Sequence, residues 1–158
     1  MSGGPPHVRA RPSDGAFSPL VGHEGHLPLE DHGLIGDGAT AALVGRDGAI
    51  SWLCVPRFDS EPVFCSILDR RRGGRFSLRP RDVREARQAY EPDTGVLVTE
   101  LRSPTGTVRV TDALTLRAGA DLHEDAPAAR EELIRSAAVV EGEVELEIAI
   151  EPYGGLTR

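Results

Sequence analysis

Thr40-Ala41-Ala42-Leu43-Val44, Gly45-Arg46-Asp47-Gly48, Ala49-Ile50-Ser51-Trp52-Leu53-Cys54: these fifteen residues decide the fold. Two apolar runs flank an Asp-Gly pair. Such a pair marks a hairpin, because the tight turn needs positive φ at its centre. Period two places Ile50, Trp52 and Cys54 on one face of the second strand. The same grammar recurs downstream. Val96-Leu97-Val98-Thr99-Glu100-Leu101 is rich in β-formers, Ser103-Pro104-Thr105-Gly106 turns the chain, and Thr107-Val108-Arg109-Val110-Thr111 alternates apolar with polar. That is a second hairpin.

Near the end, Val144, Leu146, Ile148 and Ile150 alternate with Glu143, Glu145, Glu147 and Ala149. Alternation of this kind predicts one buried face and one acidic, wet face. Glu141-Gly142 is expected to turn the chain back from Leu133–Val140, which reads as a strand because of its β-branched end, although Ala128–Ile134 could open a helix. Val63–Leu68 is open between strand and helix, and Pro62 would suit a first helical turn. No repeat of solenoid period occurs. The fold predicted is mainly β, an antiparallel sandwich rich in hairpins.

Upstream of Leu29 the grammar stops. Residues 1–28 hold five Gly and five Pro with few large apolar side chains. They read as a disordered leader, and residues 29–158 as the β domain. His23-Glu24-Gly25-His26 lies in the leader and lacks the spacing of a helical His-Glu-x-x-His zinc motif, so it reads as a solvated tail.

The 158 residues allow about one domain. All 18 cations are Arg, against 25 acids, for a net charge of −7. A global negative charge argues against nonspecific nucleic-acid binding. The apolar runs fall short of the ~20 residues a membrane helix needs, and the N-terminus lacks an apolar stretch of signal-peptide length. The expected compartment is the cytoplasm. Two cysteines, Cys54 and Cys65, make neither a disulfide scaffold nor a four-ligand zinc site alone; they read as buried reduced thiols. No metal or cofactor is implied.

Arg70–Arg87 holds eight Arg against Asp82 and Glu85. Such a patch can hold phosphate or nucleic acid. Without interleaved aromatics beyond Phe76, it reads instead as intramolecular ion pairs or a docking face. Glu30-Asp31, Glu131-Glu132 and the Glu143/Glu145/Glu147 ladder are paired acids. A glycosidase needs two carboxyls facing each other across a bond, and a ladder pointing to solvent from one strand cannot supply them. Gly33-x-x-Gly36-Asp37-Gly38 suits turns better than a phosphate loop.

Trp52-Leu53-Cys54-Val55-Pro56-Arg57-Phe58-Asp59-Ser60 carries the most chemistry. A strand ends at Pro56, and a short loop presents Arg57, Phe58 and Asp59. An indole face can pack on a sugar ring while Arg and Asp hydrogen-bond its hydroxyls. Equally, Trp52 and Phe58 could be core, with Arg57 and Asp59 closing the loop as an ion pair.

Leu29-Glu30-Asp31-His32-Gly33-Leu34-Ile35-Gly36-Asp37-Gly38-Ala39-Thr40-Ala41-Ala42-Leu43-Val44, continuing through Asp47-Gly48-Ala49-Ile50-Ser51-Trp52-Leu53-Cys54-Val55-Pro56-Arg57-Phe58-Asp59-Ser60, resembles the N-terminal domain of bacterial trehalase-like and glucoamylase-like enzymes of glycoside hydrolase family fifteen. Gly74-Arg75-Phe76, Tyr90–Thr94 and Val108–Asp112 extend the likeness over about residues 29–155. The resemblance implies a supersandwich-like β domain, here incomplete, preceding a helical toroid. There two glutamates hydrolyse an α-glucosidic bond with inversion. The residues present include no toroid, so no catalytic residue is assigned and the chain alone is expected to be inactive.

The implied partner is a helical toroid of the same or a neighbouring polypeptide, with an α-glucoside nearby. Trp52, Arg57, Phe58 and Asp59 are the residues expected beside the sugar. Two departures stand out: Ser51 where the family often has an acid, and Glu61-Pro62-Val63 after the loop. A bare docking face would expose an apolar patch and favour self-association. The alternative is a stand-alone, non-catalytic module binding sugar or protein, or an inactive remnant.

Overall fold

Gly45-Arg46-Asp47-Gly48 folds as the turn its composition predicts. Asp47 Oδ1 accepts the Ala49 N–H at 3.1 Å, and the Gly48 N–H donates to the Gly45 carbonyl at 3.0 Å. Gly48 sits at φ +80°, and a Cβ there would lie 2.5 Å from the Leu78 carbonyl oxygen, so only Gly fits. The strands on either side pair antiparallel, as they do throughout the molecule.

A computed structural model describes residues 15–23, 25–119 and 128–154. Its strands are β1 (Ser18–Pro19), β2 (His32–Gly36), β3 (Ala41–Gly45), β4 (Ala49–Cys54), β5 (Pro62–Phe64), β6 (Arg75–Pro80), β7 (Glu85–Tyr90), β8 (Leu97–Arg102), β9 (Gly106–Leu116), β10 (Ala129–Gly142) and β11 (Leu146–Glu151). A 3₁₀ turn spans Leu29–Asp31. One sheet runs β1-β7-β8-β9-β10, the other β11-β6-β4-β3-β2 with β5 on β4. Their apolar faces meet. Ile35, Val44, Ile50 and Leu53 of the second sheet pack with Leu97 and Leu114 of the first. Leu78 packs with Ala86, Leu101, Val108 and Val110. Both predicted hairpins form, and Val63–Leu68 resolves into the short strand β5 followed by turns.

Side-chain alternation in β4 differs from expectation. Leu43 faces Trp52 and Val44 faces Ile50, so Ser51 is an extra residue, a β-bulge. The insertion shifts the period by one. Ile50 and Leu53 both enter the core, while Trp52 goes to the outer face beside Leu43.

The C-terminal strands also differ. Glu141 and Gly142 remain paired with Thr107 and Gly106, so β10 outruns the expected turn. The chain reverses beyond Gly142 and delivers β11 to the other sheet, against β6. Leu146, Ile148 and Ile150 lie across from Pro80, Leu78 and Phe76, on the interior face. They are nevertheless exposed, Ile148 to 66%. Val139, across from the buried Val108, is exposed too. β10 and β11 are each the last strand of their sheet, and among the described residues no strand lies beyond them. Their interior faces therefore stay open at Val139, Leu146, Ile148 and Ile150, whereas Arg135 of β10 is covered. Val144, just before β11, packs against the Leu78 cluster, and Leu133 of β10 packs against the Ile35 cluster.

Upstream, the sandwich reaches past Leu29. Ser18–Pro19 pairs with β7, and Arg87 and Arg102 stack on the Phe17 ring at 4.6 and 3.7 Å. Of the leader expected over residues 1–28, residues 1–14 and Glu24 lie outside the described residues.

Arg135 joins the two sheets. Its side chain is 2% exposed and its partner Asp112 is fully buried. Nε donates to Asp112 Oδ1 at 2.7 Å, and Nη2 donates to Oδ2 at 3.2 Å. Across the interface Nη1 donates to the Phe76 carbonyl at 2.8 Å and Nη2 to that of Gly48 at 2.9 Å.

Candidate functional site

The loop after β4 is built on Asp37. Oδ1 accepts the N–H groups of Ala39 and Thr40 at 3.0 and 2.9 Å, and Oδ2 accepts that of Glu131 at 3.1 Å. An Asp after Gly36 thus makes the turn expected of the glycine-rich stretch. The turn in turn anchors the loop: the Phe58 N–H donates to the Ala39 carbonyl at 3.0 Å, and the Thr40 hydroxyl donates to the Cys54 carbonyl. The Val55–Pro56 bond is cis. The Arg57 N–H bonds Ser60 Oγ at 3.2 Å, and the Ser60 N–H returns to the Arg57 carbonyl at 3.0 Å.

Four sequence-predicted residues sit on or beside this frame. Arg57 and Asp59 form a forked ion pair, Nε–Oδ1 at 2.9 Å and Nη2–Oδ2 at 3.3 Å. That bond holds the Asp59 carboxyl below its ordinary range and pushes the Arg57 guanidinium up. Both side chains are more than half exposed, so water screens the pair. Phe58 between them is 66% exposed and is not core. Trp52 is partly buried on the outer face of β4. Among the described residues no hydrogen bond joins it to the loop. The geometry offers a flat aromatic surface and a fixed guanidinium–carboxylate fork, both open to a partner.

Among the described residues, three of the eight arginines in the basic stretch are neutralised within the chain. Arg75 pairs with Glu151, Arg81 with Glu145 and Glu147, and Arg87 with Glu100. Glu145 and Glu147 of the glutamate ladder are thus surface acids paired with Arg81. Cys54 and Cys65 are free and buried. Burial pushes both thiols up, and their mutual proximity adds to it at Cys54, so neither is a thiolate nucleophile. Among the described residues no group of three His, Cys, Asp or Glu side chains gathers as a metal site would require. No helix there is long and apolar enough to cross a membrane.

The profile of the family described as "Trehalase-like, N-terminal" matches residues 18–154. The chain belongs to this family. The match starts at β1, where the structure also starts the sandwich. Trehalase from Mycolicibacterium smegmatis is 37% identical over 135 residues, 79% of this chain and 20% of the relative. Trehalase from Mycobacterium tuberculosis is 35% identical over the same shares, and that from Thermoplasma volcanium is 42% identical over 92 residues, 56% of this chain and 15% of the relative. The chain therefore spans about a fifth or less of these curated relatives. No solved structure matches it at a significant level.

Sequence reasoning missed two features. Asp112–Arg135 was signalled by opposite charges at interior parity in strands that pair. The Ser51 bulge carried no such signal, since its residues look like any other strand.

Proposed function

We propose that this family member acts as the non-catalytic N-terminal β-sandwich of an α-glucoside hydrolase of the trehalase and glucoamylase type, glycoside hydrolase family fifteen, working in the cytoplasm. The observation that carries the reading is the match to a fifth of each mycobacterial trehalase. In this reading a helical toroid beyond these residues supplies the two glutamates, one protonating the leaving oxygen and one activating water. The sandwich docks on it. Trp52 and the Arg57–Phe58–Asp59 loop lie toward the sugar, and the open interior faces of β10 and β11 meet the partner body. Two buried, reduced thiols suit a reducing compartment.

The test is hydrolysis by the purified chain, alone and after mixing with the toroid segment of a trehalase relative. Alone, glucose release from trehalose or maltose should equal the buffer blank; turnover above it would overturn the non-catalytic assignment. In the mixture, Phe58→Ala or Arg57→Ala should lower turnover at least tenfold if the loop shapes the sugar site. A second reading, a stand-alone sugar-binding module, draws on the exposed Phe58 beside the Arg57–Asp59 fork. Calorimetry with millimolar trehalose and maltose tests it, since heat lost in Trp52→Ala is its signature.

A further inference from the structure

The bulge in β4 leaves an unfinished hydrogen bond. Ser51 Oγ is buried and has no partner among the described residues. Buried hydroxyls are almost always bonded, so this one calls for a physical reason. Ser51 lines a cavity of about 50 Å³ on the outer side of the second sheet, together with Ser66, His26, His32, Arg70, Arg75 and Asp47, its Oγ lying just beneath the cavity wall. We propose that this cavity binds a small oxyanion.

Charge and bonding point the same way. Two guanidiniums line the cavity, Arg70 and Arg75, against Asp47, whose Oδ1 already accepts the Ala49 N–H. His32 donates Nδ1–H to the Pro28 carbonyl at 3.0 Å, which fixes the ring at the cavity edge. Arg75 gives Nε to Glu151 at 3.3 Å and keeps its Nη donors. Arg70 lies against Gly25, close enough that a Cβ there would collide with it. Among the described residues no carboxylate pairs with Arg70. The donors exceed the acceptors, and one hydroxyl is buried with nothing to bond.

The volume suits a few waters or the oxygens of one small tetrahedral oxyanion. Guanidinium forks bond such oxyanions two at a time, and the serine hydroxyl adds a neutral donor. The site is distinct from the Arg57–Asp59 loop and does not depend on the proposed function.

The test is thermal unfolding and calorimetry on the full chain with sodium sulfate and sodium phosphate, against sodium chloride at matched ionic strength. The expected result is a rise in Tm of about 5 °C when sulfate or phosphate is far above Kd, with none in chloride. Glucose 6-phosphate separates the sources: an equal rise identifies a phosphoryl group on a larger molecule, and no rise identifies the free ion. Ser51→Ala should weaken binding at least tenfold without lowering Tm in chloride. Ser51→Asp places a tethered carboxylate in the cavity, so it should raise Tm in chloride and abolish the response to sulfate. Arg70→Gln, an exposed change that spares the fold, should weaken binding about tenfold. Equal Tm in all three salts, or unchanged titrations for both Ser51→Ala and Arg70→Gln, would overturn the proposal.

Discussion

Replace Arg135 with Met, and the Asp112 carboxylate loses both of its hydrogen bonds. Asp112 has no exposure through which water could compensate. The Phe76 and Gly48 carbonyls lose a cross-sheet donor each, although Gly48 still accepts the Leu78 N–H at 3.1 Å. Breaking a buried pair from one side costs about 3–5 kcal/mol, because a charge is left uncompensated. That is a large share of the roughly 5–15 kcal/mol that holds a domain together. Removing both partners is far milder, so Arg135→Met with Asp112→Leu should recover at least about 2 kcal/mol of the single-variant loss.

The assay is urea unfolding followed by Trp52 fluorescence. Burial pushes the Asp112 carboxyl up, and the bonds from Arg135 pull against it. A raised carboxyl favours the fold fully below its unfolded value, near 3.9, and that advantage is lost as pH rises through the folded value. Without Arg135 the carboxyl rises further. The Arg135→Met penalty should therefore shrink from pH 7 toward pH 4. A loss under about 1 kcal/mol at pH 7, or a double variant as unstable as the single, would refute the claim that this pair closes the sandwich.

Three further outcomes follow from the same structure. At Glu100, burial alone would push the carboxyl up, but bonds from Arg109 and Arg87 at 2.7 Å each outweigh it and hold it below the usual range. Its stabilisation is present above the ordinary Glu value near 4.3 and fades in acid. Glu100→Gln should thus cost about 2 kcal/mol at pH 7, with parent and variant converging below about pH 4 in urea unfolding; a pH-independent gap would contradict this. Gly48→Ala should cost about 2 kcal/mol or more, since it adds a Cβ at positive φ against the Leu78 carbonyl; a loss under about 0.5 kcal/mol would count against that geometry. Ile148→Lys should leave stability within about 0.5 kcal/mol while reducing binding of an apolar dye and concentration-dependent association by light scattering. Unchanged dye binding would mean that the open interior face is not what the dye meets.

Strand positions were legible because turns and alternation are local. Asp47-Gly48 and Ser103–Gly106 specify their reversals within a few residues. The choice of strand over helix for Leu133–Val140 held for the same reason. Burial was less legible, because it depends on what stands opposite. Leu146, Ile148 and Ile150 alternate as a buried face should and point to the interior, yet the facing sheet ends at β10. Alternation reports which face is apolar, not whether anything covers it. The Arg57–Asp59 pair was legible as chemistry, and its ion-pair reading agrees with the structure, but Phe58 goes to solvent rather than core. A loop held by Asp37, from an earlier turn, has no local rule that fixes where its middle side chain points.

The β4 bulge shows how one unread residue moves a whole site. Strict alternation would put Trp52 in the core with Ile50. The extra residue at Ser51 sends Trp52 to the outer face and leaves Ser51 lining a cavity edged by Arg70 and Arg75. Both candidate sites, the Trp52 surface and the oxyanion cavity, therefore trace to a single insertion in one strand. Bulges commonly sit where a side chain must be re-aimed. The residue types were all readable in the chain, but their juxtaposition depended on a register that only the paired strands define. That is why composition identified an Arg-rich stretch without indicating which two of its members would share a cavity with Ser51.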